Sequence, residues 1–363
     1  MIYFDSDYME GAHPEVMQAL QETNLEHTVG YGNDPYSERA REAIREACDA
    51  PGALVQFLQG GTQTNATVID ALLRRHEGVL CAESAHINVH ESGAVEHSGH
   101  KVLTLPSAEA LPSAEALPSA EGKITAEQVD AYIRAFYADE CFEHMVAPGL
   151  VYITQPTEYG TIYSLGDLEA LSKVCHSHGI PLYLDGARLG YALACPAADF
   201  TLRDIARLCD VFYIGGTKCG LLFGEAVVAR DPAALPHFFP LVKQHGALCA
   251  KGRLQGVQFL TLFTDGLYTR ICEHAVAQAQ RIRKAFCDAG YQVAIDSPTN
   301  QQFFVLPNDV VDALRAEGVS FEDWGPRGEA ETTVRFVTSW ATADADVDTL
   351  TEMVNLDRRE SLA

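Results

Sequence analysis

The sequence has few basic residues for its length, and this shortage limits the partners that it can bind. Among 363 residues there are 26 lysines and arginines against 50 aspartates and glutamates, which gives a formal net charge of -24. Nucleic acids and anionic membrane surfaces attract basic faces, so neither is an expected partner.

The sequence also lacks membrane, secretory and paired-cysteine signals. No apolar run approaches the roughly 18 residues of a spanning helix. The N-terminus has no basic stretch followed by an apolar one, as a secretory signal would. The ten cysteines include no C-x-x-C pair, so a structural zinc site or a dithiol redox motif has no support. We therefore expect a cytoplasmic protein with free thiols and no metal.

Short apolar segments alternate with amphipathic ones between residues 53 and 229. This alternation predicts a mostly parallel sheet covered on both faces by helices. In open sheets of this kind, ligands bind beyond the carboxyl ends of the strands, so the residues that follow each strand are functional candidates. The predicted strands lie at residues 54–58, 79–82, 101–105, 150–154, 181–185, 211–215 and 225–229.

The length and the change of pattern near residue 250 predict two domains. The large one covers 51–249, and 250–363 would hold a long linking helix and a smaller α+β domain. Residues 1–50 look mostly irregular and are expected to join the small domain or a subunit interface. Three copies of a hexapeptide beginning LPSAE occupy 105–122. Proline every six residues prevents a helix there, so we predict a surface loop insertion at 106–122.

Lys218 is the strongest single candidate for covalent chemistry. It follows the strand at 211–215 and is the only charged residue between Asp210 and Glu225. A lysine flanked by small residues beyond a strand end can form a Schiff base with a carbonyl group. A solvated loop lysine is the alternative interpretation.

Two further motifs complete a recognisable set. Asp185 ends the strand at 181–185, where its carboxylate would point into the ligand crevice, although an isolated aspartate there is more often a helix N-cap. The motif GGTQTN at 60–65 places glycines and hydroxyls at a strand-to-helix junction, where an anion can bind. Taken alone, the motif is more simply a tight turn with an N-cap, so the anion-site interpretation depends on Lys218 and Asp185. Together with Lys218, these motifs supply what pyridoxal 5′-phosphate requires: a phosphate site, a carboxylate for the ring nitrogen and a lysine.

The sequence resembles the threonine aldolase/β-eliminating lyase family of fold-type-I pyridoxal phosphate enzymes, and most of all its low-specificity L-threonine aldolases. The resemblance implies an aspartate-aminotransferase-like fold. It also implies cleavage of L-threonine, L-allo-threonine or related 3-hydroxy-α-amino acids to glycine and an aldehyde. The expected assembly is a homodimer or homotetramer with shared active sites. The matching motifs, besides GGTQTN, are YFDSD at 3–7, GYGNDPY at 30–36, AHINVHESGA at 85–94, DGAR at 185–188, TK at 217–218 and VRFVT at 334–338.

The resemblance also implies roles for individual residues. Lys218 would bind the cofactor covalently, Asp185 would face its ring nitrogen, and His86 would stack on the ring, these three being the expected catalytic residues. The residues expected at the cofactor are Gly61, Thr62, His86, Asp185, Arg188, Lys218 and Arg253. Those expected at the substrate are Ser6, Tyr36, His90, Glu158, Arg188 and Arg335, with Tyr36 and Arg253 reaching a neighbouring subunit.

Two positions depart from the family pattern, and they leave the general base open. Glu158 stands where better-known members have a histidine, and His90 stands where many have an aromatic residue. The base is therefore His86, His90, Glu158 or a water between them. The alternatives to an aldolase are a β-eliminating lyase or an aminotransferase of the same fold, and a non-catalytic ligand-binding protein on that fold.

Overall fold

The computed structural model describes residues 1–106 and 121–361. Apart from its end residues, the loop insertion predicted at 106–122 lies outside them. The helices are α1 (Pro14–Glu22), α2 (Pro35–Ala47), α3 (Gly61–Leu72), α4 (His86–Val89), α5 (Ala94–His97), α6 (Ala126–Ala138), α7 (Leu165–Ser177), α8 (Leu189–Ala194), α9 (Leu202–Leu208), α10 (Phe238–Gln244), α11 (Arg253–Leu262), α12 (Leu267–Ala289), α13 (Asn308–Ala316) and α14 (Asp344–Ser361). The strands are β1 (Ile2–Tyr3), β2 (Leu54–Leu58), β3 (Glu77–Ala82), β4 (Lys101–Leu105), β5 (Ala147–Thr154), β6 (Leu182–Asp185), β7 (Val211–Gly215), β8 (Glu225–Ala229), β9 (Gln292–Ile295), β10 (Gln301–Pro307), β11 (Val319–Ser320), β12 (Glu322–Asp323) and β13 (Glu331–Val337).

The largest sheet has seven strands in the order β2-β8-β7-β6-β5-β3-β4. All neighbouring pairs are parallel except those of β8, which runs antiparallel to both β2 and β7. Every residue of β6, β7 and β8 is buried, as expected for a sheet covered on both faces. The sheet therefore confirms the mostly parallel seven-stranded architecture expected from the sequence.

Helix boundaries near the site follow from local capping. α7 begins after Ser164, whose hydroxyl accepts from the Asp167 backbone N–H, while the Asp167 carboxylate accepts from the Ser164 N–H. This reciprocal capping box satisfies two backbone donors at the helix start. α12 ends at Gly290, which adopts φ 91°, a left-handed conformation that favours glycine.

The C-terminal part forms a second sheet with its own apolar core. Four antiparallel strands lie in the order β12-β13-β10-β9. Phe286 of α12 stacks on Phe304 of β10, with ring centroids 4.4 Å apart, and Phe321 stacks on Phe336 of β13 at 4.6 Å. Aromatic pairs at such distances add to the free energy that burial supplies. This antiparallel sheet with its helices agrees with the smaller α+β C-terminal part expected from the sequence.

Residues 1–50 contain two helices that the sequence analysis did not predict, α1 and α2. Both helices begin with a proline at the first turn, and His13 and Asp34 cap them, a combination that favours helix initiation. α1 and α2 pack on α11. β1 pairs with β11, so the segment contacts residues 250–363 through both helices and through its first strand.

Candidate active site

A cavity of about 240 Å³ lies beyond the carboxyl ends of the parallel strands. This is the edge at which ligands bind in open α/β sheets. Seven of the residues predicted from the sequence line it, contributed by the start of α3, the start of α4 and the loops after β5, β6 and β7. They are Gly61, Thr62, His86, Glu158, Asp185, Arg188 and Lys218.

Asp185 is held by four hydrogen bonds. Its Oδ2 accepts from Asn65 Nδ2 at 2.9 Å and from the Tyr152 hydroxyl at 2.6 Å. Its Oδ1 accepts from the Ala187 N–H at 3.0 Å and from the Tyr213 hydroxyl. Burial is the main cause that raises the pKa values of Tyr152 and Tyr213 well above the ordinary range, and the Asp185 charge adds to it. Both phenols therefore remain hydrogen-bond donors to Asp185 at neutral pH.

His86 is oriented by a buried carboxylate that the sequence motifs did not single out. Its Nδ1 lies 2.8 Å from Oε1 of Glu91, and the same oxygen accepts from Asn65 Nδ2 at 2.7 Å. Burial opposes protonation of His86, yet the Glu91 hydrogen bond and the charges of Glu158 and Asp185 outweigh burial and raise its pKa. One network thus joins Asp185, Asn65, Glu91 and His86.

Lys218 lies in the loop that follows β7, half-buried at the cavity wall. Its Nζ is 5.9 Å from the centroid of the Tyr8 ring. The preceding residue, Thr217, donates to Glu225 Oε1 at 2.8 Å and accepts from the Gly224 N–H at 3.0 Å. The Tyr191 hydroxyl donates to the Lys218 carbonyl. The backbone of Lys218 is therefore fixed while its amine faces the cavity.

Arg188 is fixed by a bidentate ion pair with Asp7. Nε and Nη2 of Arg188 donate to the two oxygens of Asp7 at 2.7 Å and 3.0 Å, and Asn300 donates to Asp7 at 2.9 Å. Burial opposes the charge of Asp7, but the charges of Arg188 and Lys218 outweigh burial and hold its pKa below the ordinary value. This geometry is typical of strong carboxylate–guanidinium pairs.

Arg335 lies next to this pair and has a free donor. Its Nη1 donates to Gln301 at 3.0 Å and its Nη2 pairs with Glu322. Its Nε is buried and has no hydrogen-bond partner among the described residues. Burial first, and then the charge of Arg188, lower the pKa of Arg335. A site with two guanidinium groups close together suits an anionic ligand.

Five predicted residues do not line the cavity of the single chain. Ser6 directly precedes Asp7, and its buried Oγ has no partner among the described residues. The His90 ring lies 5.5 Å from His86, and Arg335 is close enough to Arg188 for their charges to interact. The Tyr36 hydroxyl donates to Glu26 at 2.9 Å. Arg253 is among the charged neighbours of Tyr36.

The prediction from the sequence missed Asp7, Asn65, Glu91 and Glu225. Asp7, Asn65 and Glu91 belong to motifs quoted for the family resemblance, YFDSD, GGTQTN and AHINVHESGA, but carried no assigned role. Glu91 follows His86 by five residues. The short helix α4 and the turn after it bring the Glu91 carboxylate back to the His86 ring. Only the three-dimensional arrangement reveals what these side chains bind.

The residues present fit pyridoxal 5′-phosphate. The first N–H groups of α3 have no partner within the helix. The residues that carry them, Gly61 and Thr62, line the cavity, so these N–H groups can bind an anion there. Gly60 begins this turn, and a Cβ there would meet nothing within 4 Å, whereas a Cβ on Gly61 would lie 3.2 Å from the Tyr213 hydroxyl. Asp185 offers its carboxylate for a ring nitrogen, and Lys218 offers an amine.

Comparison with known proteins finds a matching family and similar sequences. The family described as "Beta-eliminating lyase" matches residues 4–306. The low specificity L-threonine aldolase of Pseudomonas sp. (strain NCIMB 10558) is 31% identical over 350 residues, covering 95% of this chain and 94% of that protein. That of Pseudomonas aeruginosa is 31% identical over 356 residues, covering 96% and 95%.

Solved structures agree with the sequence comparisons. A threonine aldolase structure from Leishmania major superimposes with a TM-score of 0.91 at 36% identity, covering 99% of this chain and 100% of that one. Aspartate aminotransferase from Thermus thermophilus superimposes with a TM-score of 0.66 at 15% identity, covering 97% and 90%. The second match confirms the expected aspartate-aminotransferase-like fold.

Proposed function

Because this chain belongs to the β-eliminating lyase family, we propose that it is a pyridoxal-phosphate-dependent lyase of the threonine aldolase type. Its substrates are L-threonine, L-allo-threonine or related 3-hydroxy-α-amino acids, and its products are glycine and an aldehyde. One observation carries the proposal: Lys218, Asp185 and the start of α3 line the same cavity. A binding protein on this fold would need no lysine there.

The cofactor would be held by residues from three strand ends. Lys218 would bind its aldehyde carbon, Asp185 its ring nitrogen, and the N–H groups at Gly61 and Thr62 its phosphate. When bound, pyridoxal phosphate supplies an electron-withdrawing ring that stabilises negative charge at the substrate Cα. Asp185 suits this role because four hydrogen bonds hold its carboxyl group in place at the cavity. His86, held by Glu91, would lie against the ring face.

The substrate carboxylate would bind at the paired guanidinium groups. Arg335 has an unpartnered Nε, and Arg188 is kept in place by Asp7. Fixing the carboxylate there sets the rotation about the Cα–N bond, so that the Cα–Cβ bond can stand perpendicular to the ring. Such orientation lowers the barrier without any chemistry by the arginines themselves.

A base must remove the proton of the β-hydroxyl as the Cα–Cβ bond breaks. Of the three candidate side chains, His86 and Glu158 line the cavity, while His90 is exposed next to His86. The raised pKa of His86 means that a larger fraction of its rings already carry a proton at neutral pH and cannot accept the one from the hydroxyl. We therefore favour Glu158, directly or through a water, as the acceptor of the hydroxyl proton, since a usable base must first be within reach.

We also propose that the active assembly is a homodimer or homotetramer. Tyr36 and Arg253 lie outside the cavity of their own chain, and Nη1 of Arg253 is buried without a partner among the described residues. These residues would complete the site of a second copy. Mixing inactive Lys218→Ala protein with inactive Arg253→Ala protein tests this, because shared sites regain activity in the mixed oligomer and independent sites do not.

The reaction is tested by supplying purified protein with pyridoxal phosphate and L-threonine or L-allo-threonine. The expected products are glycine and acetaldehyde in equal amounts, without an added keto acid. Pyruvate and ammonia from serine or cysteine would indicate β-elimination instead, and a requirement for a keto acid would indicate transamination. Absence of all these products, with the cofactor bound, would leave the ligand-binding alternative.

A further inference from the structure

Glu225 is a buried carboxyl group that the proposed reaction does not use. Its side chain lines the cavity, yet the residue is only 3% exposed. It begins β8, and the register places it opposite Leu58 of β2 and Gly215 of β7. β2 leads to the glycines before α3, and β7 leads to Thr217 and Lys218. Glu225 therefore stands between the proposed phosphate site and the lysine loop.

The hydrogen bonds of Glu225 control the direction of the Thr217 hydroxyl. Thr217 Oγ1 donates to Glu225 Oε1 at 2.8 Å, and the Gly216 N–H donates to Oε2 at 3.2 Å. The Thr217 oxygen also accepts from the Gly224 N–H at 3.0 Å. A hydroxyl has one proton to donate and two lone pairs. An ionised Glu225 accepts the hydrogen bond of the Thr217 hydroxyl. A protonated Glu225 can instead donate to the Thr217 oxygen, so that the hydroxyl can donate to a ligand.

The charges around the cavity make a further anion unfavourable. Besides Glu225, the lining holds the carboxyl groups of Glu91, Glu158 and Asp185, against the cations Lys218 and Arg188. Arg188 is already paired with Asp7. A phosphate group would bring additional negative charge to a wall where Glu225 lies. Like charges in a buried site favour protonation of the group that ionises least readily.

Burial raises the pKa of Glu225 to about 8, although the Thr217 hydrogen bond, the Lys218 charge and the Gly216 N–H oppose this effect. The Asp185 charge adds to the increase. The other titratable groups whose charges interact with Glu225 are phenols of β6, β7 and α12, which stay neutral because burial raises their pKa values well above the ordinary range. They are Tyr183, Tyr213 and Tyr268.

We propose that Glu225 couples cofactor binding to a proton: the cofactor phosphate binds the form in which Glu225 is protonated and the Thr217 hydroxyl donates to the phosphate. Ionisation of Glu225 reverses that hydroxyl and weakens binding. The inference rests on the proposed function, because it takes the cofactor to be a phosphate ester bound at the start of α3. When the phosphate binds, Glu225 takes up one proton from the solvent. No covalent bond forms or breaks, and only hydrogen bonds are exchanged.

The test uses the full chain freed of cofactor and 4′-deoxypyridoxine 5′-phosphate, which has the ring and phosphate but no aldehyde for Lys218. Calorimetric titrations from pH 6.5 to 9.5 give the dissociation constant. For the wild type it increases above pH 8 by up to about tenfold per pH unit. Glu225→Gln keeps a neutral donor towards Thr217. The dissociation constant of this variant therefore matches that of the wild type at pH 6.5 and does not increase above pH 8.

Glu158→Gln is the matched control, because it removes another carboxyl of the same cavity without touching Thr217. This variant changes the dissociation constant by a similar factor at every pH, and the dissociation constant still increases above pH 8 as in the wild type. Equal pH profiles for the wild type and Glu225→Gln overturn the inference.

Proton uptake gives a second readout that needs no variant. Titrations of the wild type at pH 8.5 in two buffers with different ionisation enthalpies reveal the protons taken up on binding. Net uptake supports the inference, and no uptake overturns it even where Glu225→Gln does not fold. If neither this probe nor pyridoxal phosphate binds at any pH, the proposed function fails as well. Binding without pH linkage refutes the Glu225 inference alone.

Discussion

Glu91 makes the largest contribution to the raised pKa of His86, and its buried carboxylate is hydrogen-bonded to the imidazole Nδ1 at 2.8 Å. Burial alone would lower the pKa of His86, and the Glu91 hydrogen bond is the largest of the contributions that raise it. The hydrogen bond also fixes the plane of the ring. Glu91 is thus a positioning residue for the side chain expected to lie on the cofactor.

Replacing Glu91 by glutamine is expected to lower the pKa of His86, because the amide removes the negative charge while keeping an acceptor. The measurement is an NMR titration of the His86 ring in protein labelled at histidine. Glu96→Gln is the control, since Glu96 is exposed on α5 and should leave the titration unchanged. An unaltered or raised His86 titration in Glu91→Gln would contradict the assigned role.

Some site residues follow from the sequence and others do not, for a physical reason. Asp185 is the last residue of β6, and Lys218 and Gly61 lie in the turns just beyond β7 and β2. The carboxyl ends of these strands converge on one edge of the sheet. Asp7 precedes every strand of that sheet, and Glu91 follows α4, well beyond the end of β3. Their roles depend on the fold of α4 and on the path of the N-terminal segment, which local patterns do not specify.

At the scale of helices and strands, the sequence predicts the central sheet better than the N-terminal helices. The strands predicted at 101–105, 211–215 and 225–229 have the same bounds in the structure, because short apolar runs between turns are distinctive. α1 and α2 bury few apolar side chains. In α2 the buried apolar residues are only Ala40 and Ile44, so the apolar face is narrow and the caps are the main signal.

The cap of α2 offers a test at this scale. Asp34 is buried and accepts from the Ser37 N–H at 2.9 Å and from the Ser37 hydroxyl at 2.7 Å. Asp34→Ala should lower the free energy of unfolding by about 1–2 kcal/mol, since it leaves helix-start donors unpaired. Urea denaturation measures the change. Glu46→Ala, at an exposed position of the same helix, should change it by less than about 0.5 kcal/mol, and equal effects would refute the capping role.

At the scale of the whole molecule, Asp7 connects three parts of the chain. It belongs to the N-terminal segment, pairs with Arg188 after β6 and accepts from Asn300 before β10. Truncating one partner of a buried ion pair leaves the other charge uncompensated. Asp7 therefore affects both the stability of the fold and the position of Arg188. The net charge of -24 is offset at this point by a local group of cations.

Asp7→Asn should lower the free energy of unfolding at pH 7 by about 3–5 kcal/mol. The pKa of Asp7 is depressed in the folded state, so its contribution is present above the unfolded value of about 3.9 and is lost as the pH falls through the folded one. The wild type should thus lose this stability on acidification, and the variant should not. Urea denaturation at pH 7 and below pH 4 measures both. Glu10→Gln, at an exposed position nearby, is the control, and equal losses in both variants would contradict the account.

The central claim is that Lys218 binds pyridoxal phosphate and that the bound cofactor supports cleavage of 3-hydroxy-α-amino acids. It is tested most directly by reducing the protein with borohydride in the presence of the cofactor, mapping the labelled peptide, and assaying Lys218→Ala with L-threonine. The account predicts a label on Lys218 and loss of glycine and acetaldehyde formation in the variant. A label on another lysine, or full activity in Lys218→Ala, would contradict it.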